Sequence, residues 1–153
     1  MLRISRLADY GTVVMTYIAR KSEALYTARD IAEHTNLNLP TVSKLLKILT
    51  NAELLASIRG TKGGYRLNLA PENISVASIV EAIDGRIALT ECSYVTGSHH
   101  CDIQSDCSIR GNWQLISGAV FKALDGISLA QLNGADMVPI VDMRNMIKEE
   151  RQA

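Results

Sequence analysis

This 153-residue sequence is marked first by what it lacks. No apolar run approaches the roughly 20 residues that a membrane-spanning helix needs, so no membrane partner is expected. The opening Met1-Leu2-Arg3-Ile4-Ser5-Arg6 has no long apolar core and no small-residue cleavage site of a secretory signal, which implies a cytoplasmic location. Aromatic residues are only 5% while apolar residues reach 47%, a balance suited to a helical protein rich in Leu, Ile, Ala and Val. There is no internal repeat and no low-complexity segment. Cysteine is confined to three residues, and no C-x-x-C redox pair occurs. With no strand-turn-helix setting for a reactive thiol either, nothing supports a thiol enzyme.

There is also no net charge, but the zero hides a division. Residues 1–67 carry ten Lys or Arg against five Asp or Glu, and residues 68–153 carry six against eleven. A basic first half and an acidic second half point to an anionic partner for the first.

That first half carries a recognisable order of elements. Tyr10, Val13, Val14, Tyr17 and Ile18 repeat at helical spacing over residues 5–20. Thr27 followed by Asp30 is close to a capping box at the start of a short helix ending near His34-Thr35. Asn36-Leu37-Asn38 is a turn, and Pro40 suits the first turn of a second helix through Leu49. Short helix, tight turn and second helix form a helix-turn-helix. Leu54 to Arg59 and Tyr65 to Leu69 then have strand character about the turn Gly60-Thr61-Lys62-Gly63-Gly64, which makes a wing. Pro71 closes the unit. Ser75 caps a helix to Asp84 whose buried face is Val76, Ile79, Val80 and Ile83, with Gly85 as its stop.

A recognition helix meets base edges with short polar side chains near its N-terminus. Asn38, Pro40, Thr41, Ser43 and Lys44 occupy that end, and Lys47 can reach phosphate. Arg59, Lys62 and Arg66 flank the wing glycines, where a cation can enter a narrow minor groove. Double-stranded DNA is therefore the expected partner. Two-fold operators are read by two-fold proteins. Ile109, Trp113, Ile116 and Val120, with Leu124 near their continuation, alternate spacings of four and three and offer a seam for a homodimer. Ser128 caps a further short helix through Leu132, and the tail after Pro139 is helical or frayed.

Between these helices lie all three cysteines, Cys92, Cys101 and Cys107, in a polar stretch with His99, His100, Asp102 and Asp106. The spacing C-x8-C-x5-C is not the tight paired spacing of zinc ribbons. Wide gaps in a loop can wrap a larger iron–sulfur cluster. Zinc with His99 or His100 as fourth ligand stays open, as does a set of reduced surface thiols.

The fold expected is mainly α with a small β-hairpin. It comprises a winged helix-turn-helix DNA-binding domain over 1–85, a cluster-binding loop over 86–108, a dimerisation helix region over 109–135 and a tail over 136–153.

The chain resembles the winged-helix iron–sulfur regulators of the IscR and NsrR type, which include regulators of the SUF cluster-assembly operon. The resemblance spans roughly residues 1–132. It rests on Arg3-Ile4-Ser5, Asp30-Ile31-Ala32-Glu33, Val42 to Leu49, the wing from Ser57 to Leu67, Ile79 to Gly85, and the three-Cys loop leading into Trp113. It implies a homodimer with one [2Fe–2S] or [4Fe–4S] cluster per subunit and cluster-dependent DNA binding. The target genes would be those of iron–sulfur assembly (SUF or ISC), and the action repression. One branch of the family takes its fourth ligand from a His three residues after the last Cys, but Arg110 stands there in this chain. Another takes an acidic residue of the first helix from the partner subunit, and Asp9 matches that position, with His99 and His100 as the alternatives for the fourth ligand. A carboxylate is a hard, labile ligand for iron, which suits a sensor. The competing readings are a zinc-binding or thiol-redox winged-helix regulator, a nitric-oxide-sensing repressor, and a cluster carrier whose winged helix binds protein.

Overall fold

A computed structural model of the chain describes residues 3–21, 23–90, 93 and 107–134. In chain order the elements are α1 (Arg6–Ala19), α2 (Ala28–Thr35), α3 (Leu39–Asn51), β1 (Leu55–Ile58), β2 (Gly64–Leu67), a 3-10 turn (Pro71–Asn73), α4 (Val76–Asp84), α5 (Arg110–Asp125) and α6 (Leu129–Gly134). The mainly α architecture with one hairpin agrees with the expectation. The tail beyond α6 lies outside the described residues.

Side-chain caps explain where most helices begin. Ser5 accepts from the Ala8 N–H at the start of α1. Thr27 and Asp30 form a complete capping box on α2, Thr27 Oγ1 accepting from the Asp30 N–H and Asp30 Oδ2 from the Thr27 N–H. Asn38 caps α3, with Pro40 in its first turn, and Ser75 caps α4. Ser128 and Gln131 cap α6 reciprocally. Each such cap satisfies backbone donors that a helix start leaves without partners.

The core is built around α1. Val14, Met15 and Ile18 pack with Ile31 of α2, with Val42, Leu45, Leu46 and Leu49 of α3, and with Leu55, Leu67, Ile74 and Ile79. The expected apolar stripe of α1 is corrected here. Val14 and Ile18 are buried and Tyr10 and Tyr17 half-buried, but Val13 is exposed. The buried face instead runs through the small residues Ala8 and Gly11. A Cβ on Gly11 would lie 2.1 Å from Ile83 Cδ1, so the end of the Ile83 side chain fills the space that Gly11 leaves open.

The hairpin register pairs Leu55 with Leu67 and Ile58 with Gly64. Tyr26, just before α2, adds a third edge, exchanging two backbone hydrogen bonds of 3.0 and 2.8 Å with Tyr65. Gly64 permits this approach, because a Cβ there would meet the Tyr26 carbonyl oxygen at 2.8 Å. Downstream of α5 the chain returns to the same body. The Val76 N–H donates to Ile127 O and the Leu129 N–H to Ile74 O, and the Leu129 side chain is fully buried in the main core.

Helix α5 packs differently. Among its described residues only Ser117 is buried, its hydroxyl accepting from the Leu89 N–H at 3.2 Å. Leu124 joins Ala8, Val76 and Val80 in a second, smaller apolar cluster. Trp113 and Val120 are half-buried, while Ile109, Leu115 and Ile116 are 50%, 76% and 43% exposed. Among the described residues, much of the apolar surface of α5 has nothing to pack on.

Candidate nucleic-acid interface and metal ligands

Helix α3 turns its buried residues, Val42, Leu45, Leu46 and Leu49, inward, which leaves the intervening polar positions on the outer face. Pro40, Ser43, Lys44 and Lys47 are exposed and Thr41 is half-buried. Asn38 is exposed, but its Oδ1 accepts from the Thr41 N–H at 2.8 Å. Its side-chain carbonyl oxygen is thus engaged as the helix cap, which leaves the amide NH2 outside the cap.

The wing tip carries exposed Arg59 and Lys62. Its glycines are structural. Gly60 has φ of 120°, and a Cβ on Gly63 would sit 2.2 Å from the Ile58 carbonyl oxygen. Arg66 is exposed but does not join the tip; it lines a separate hollow with Glu23, Asn68, Leu69 and Glu72. The hairpin alternation that sends Arg66 one way sends Tyr65 the other.

A groove that the sequence reading did not identify lies between α3 and the wing. Ser43, Lys47, Thr50 and Asn51 form one wall, and Ser57 and Tyr65 form the other. Ser57 and Tyr65 are paired across the hairpin, so their side chains share a face. No local sequence signal announces this pairing, because it depends on the register of the closed hairpin.

Of the expected metal ligands, two are described. Asp9 is exposed in the first turn of α1, where the helix dipole favours a carboxylate, and its N–H donates to Ser5 O at 3.0 Å. Cys107 is a free, half-buried thiol three residues before α5 begins. Cys92, Cys101, His99 and His100 lie outside the described residues. Among the described residues no three His, Cys, Asp or Glu side chains converge as a metal site.

Near the turn of the helix-turn-helix, His34 is exposed and stacks on Tyr17 with ring centroids 5.1 Å apart. Its Nδ1 lies 2.8 Å from Asp30 O. Burial pushes the Tyr17 phenol above its ordinary value. The Asp30 carboxyl is held below its ordinary value by the Thr27 hydroxyl first, and by the Thr27 N–H after it.

A helix-turn-helix followed by a basic, glycine-hinged wing on a helical body defines a winged-helix DNA-binding regulator. Comparison with known proteins agrees. The family model for Rrf2, described as an iron-dependent transcriptional regulator, matches residues 4–134, and the chain belongs to that family. It is 31% identical over 132 residues to the HTH-type transcriptional regulator IscR of Aliivibrio salmonicida, covering 86% of this chain and 77% of that one. Among solved structures it resembles CymR, the global cysteine regulator of B. subtilis, at 32% identity and a TM-score of 0.67, covering 87% of this chain and 97% of that one. It also resembles T. potens IscR at 26% identity and a TM-score of 0.62, covering 99% and 93%. These relatives are transcription regulators, and this protein is a DNA-binding regulator rather than an enzyme. Among the described residues, no helix is long and apolar enough to cross a membrane.

Proposed function

We propose that this protein is a homodimeric repressor of iron–sulfur assembly genes whose operator affinity is set by a bound iron–sulfur cluster. The observation that carries this reading is the three-cysteine segment set between the winged-helix body and α5, in a chain 31% identical to a protein named IscR. Cys92, Cys101 and Cys107 supply thiolates, and Asp9 of the partner subunit supplies the fourth ligand. Two described features fit. Cys107 is an unpaired thiol at the foot of α5, and the Asp9 carboxylate is exposed and makes no hydrogen bond or ion pair among the described residues. When bound, the cluster provides an iron site open to oxidants or nitric oxide.

The chain's own residues account for the coupling. Asp9 stands on α1, the helix around which the DNA-binding body packs, and Cys107 leads directly into α5, which bears on α4. Ligation by both ties the outer apolar helix to the core helix of the opposite subunit. That fixes the separation of the two recognition helices. A coupling of about 1–3 kcal/mol between the sites changes operator affinity roughly 5- to 150-fold. At the DNA, Asn38, Pro40, Thr41, Ser43 and Lys44 meet base edges and phosphates in the major groove. Lys47 meets the backbone, and Arg59 and Lys62 reach the adjacent minor groove.

A second reading has its own support in the likeness to CymR structures, one of B. subtilis, named a global cysteine regulator, and one of Staphylococcus aureus in an oxidized form. In it the three cysteines act as redox thiols without a cluster. Cys92→Ala and Cys107→Ala, purified without air, separate the two. The cluster reading expects wild-type protein to hold iron and acid-labile sulfide, and each variant to lose both along with cluster-dependent operator affinity. Wild-type protein free of sulfide whose DNA binding responds to thiol oxidation would favour the second reading.

A further inference from the structure

Between the segment that follows α4 and one face of α5 lies a hollow of about 560 Å³, within the size range of small-molecule sites. Neither the DNA-binding surface nor the cysteine segment's proposed role uses it. Its walls are pinned in place. Glu81 Oε1 accepts from the Ile87 N–H at 3.2 Å, and Ser117 Oγ accepts from the Leu89 N–H at 3.2 Å. These two bonds fasten the segment 86–89 to α4 on one side and to α5 on the other. Gln114, Gly118 and Phe121 recur along α5 at helical spacing and give the hollow its second wall.

The lining combines an apolar body with charges of both signs. Ile87, Ala88 and Phe121 are half-buried against the hollow. Glu81 and Arg86 also line it, and among the described residues no ion pair joins them. Glu81 has a second carboxylate oxygen that no hydrogen bond among the described residues uses, and the exposed Arg86 guanidinium has its donors free in the same sense.

A glycine supplies a second, independent observation. Gly118 stands in the interior of α5, where glycine is unfavourable relative to alanine. At Gly11 the space of the missing side chain is taken by Ile83, but a Cβ on Gly118 would meet nothing within 4 Å. No packing neighbour therefore demands glycine at this position. What the missing side chain does is keep the hollow open.

We infer that this hollow is a binding site for a small zwitterion, a free α-amino acid with an apolar side chain. The ligand's ammonium pairs with Glu81 and its carboxylate with the Arg86 fork, both as charge-assisted hydrogen bonds. Its side chain lies over Gly118, against Ile87 and Phe121. A simple anion would face the Glu81 carboxylate, and a purely apolar compound would leave both charges unused, so the lining selects a ligand that carries both. The site depends on neither the cluster nor the DNA interface.

The test is calorimetric titration of the full-length protein with L-leucine, L-methionine and L-phenylalanine, and with the amide and the N-acetyl form of each, which lack one of the two charges. Saturable binding of at least one amino acid in the millimolar range or tighter is expected. Its amide and N-acetyl forms are expected to bind roughly 10- to 100-fold more weakly, the size of one hydrogen bond to a charged group. Glu81→Gln, which retains an acceptor for the Ile87 N–H, and Arg86→Gln are each expected to weaken the amino acid by a similar factor. Gly118→Leu is expected to fill the hollow and abolish binding, with the melting temperature of the free protein unchanged or raised. Failure of all three amino acids to bind overturns the proposal. So does binding that is indifferent to the loss of either charge, or a folded Gly118→Leu variant that binds as the wild type does. Should Gly118→Leu not fold, the Glu81 and Arg86 variants decide: unchanged affinity in both overturns the site.

Discussion

Replacing Gly64 by alanine puts a Cβ 2.8 Å from the Tyr26 carbonyl oxygen and 3.0 Å from its carbonyl carbon. Both are backbone atoms, so no side chain can swing aside. The strand must move away, and the two backbone hydrogen bonds between Tyr26 and Tyr65 are stretched or lost. Two such bonds contribute about 1–3 kcal/mol together. Alanine recovers about 0.5–1 kcal/mol by restricting the unfolded chain. The net expectation is a loss centred on about 1 kcal/mol and reaching about 2.5 kcal/mol, or a fall in Tm of up to roughly 10 °C for a chain of this size. Because Tyr65 also lines the hollow beside α3, DNA affinity should fall with it. Thermal melting followed by circular dichroism, together with a duplex titration, measures both effects. A variant as stable as the wild type, or more so, would refute the claim that Tyr26 is the third edge of the wing.

Four further outcomes are expected. Ser5→Ala removes the cap of α1 and the 2.7 Å hydrogen bond from Ser5 Oγ to Asp84 Oδ1, which ties α1 to the end of α4; the loss should be about 1–2 kcal/mol by urea denaturation. Leu46→Ala, in the fully buried face of α3, should cost about 2–5 kcal/mol, and an exposed Lys44→Ala control should be nearly neutral in the same melt. The Asp30 carboxyl has a folded value below its unfolded one, so its contribution is complete above an unfolded value of about 3.9 and disappears as pH falls through the lower folded value. Asp30→Asn should therefore flatten the acid limb of the stability profile, and an unchanged limb would refute the capping-box account. Ile116→Glu places a charge on the exposed apolar side of α5 and should convert a dimer to a monomer in sedimentation, leaving the fold intact.

What could be read in advance follows from how local each signal is. The caps at Thr27, Ser75 and Ser128 were legible because each depends on residues within three or four positions. The wing was legible from glycine chemistry and alternating strands. The buried face of α1 was partly misjudged. Bulky residues were counted as the stripe, while the contact with α4 is made through Ala8 and Gly11, whose value lies in what they lack. The Tyr26–Tyr65 pairing, the docking of Leu129 and the hollow containing Thr50 could not be read, since each joins segments brought together only by the closed fold. For the candidate site, the exposure of Ser43, Lys44, Lys47, Arg59 and Lys62 fits the DNA-facing role given to them. Asn38 is also engaged as the cap of α3, a role that was not read from its sequence.

The most direct test of the account is operator affinity measured on one anaerobic preparation before and after removal of its cluster. Iron, sulfide and zinc are assayed in both samples. The expected result is iron and acid-labile sulfide in the first sample, and an affinity that changes at least about fivefold on their loss. A colourless preparation holding stoichiometric zinc, or an affinity indifferent to removal of iron and sulfide, would contradict it.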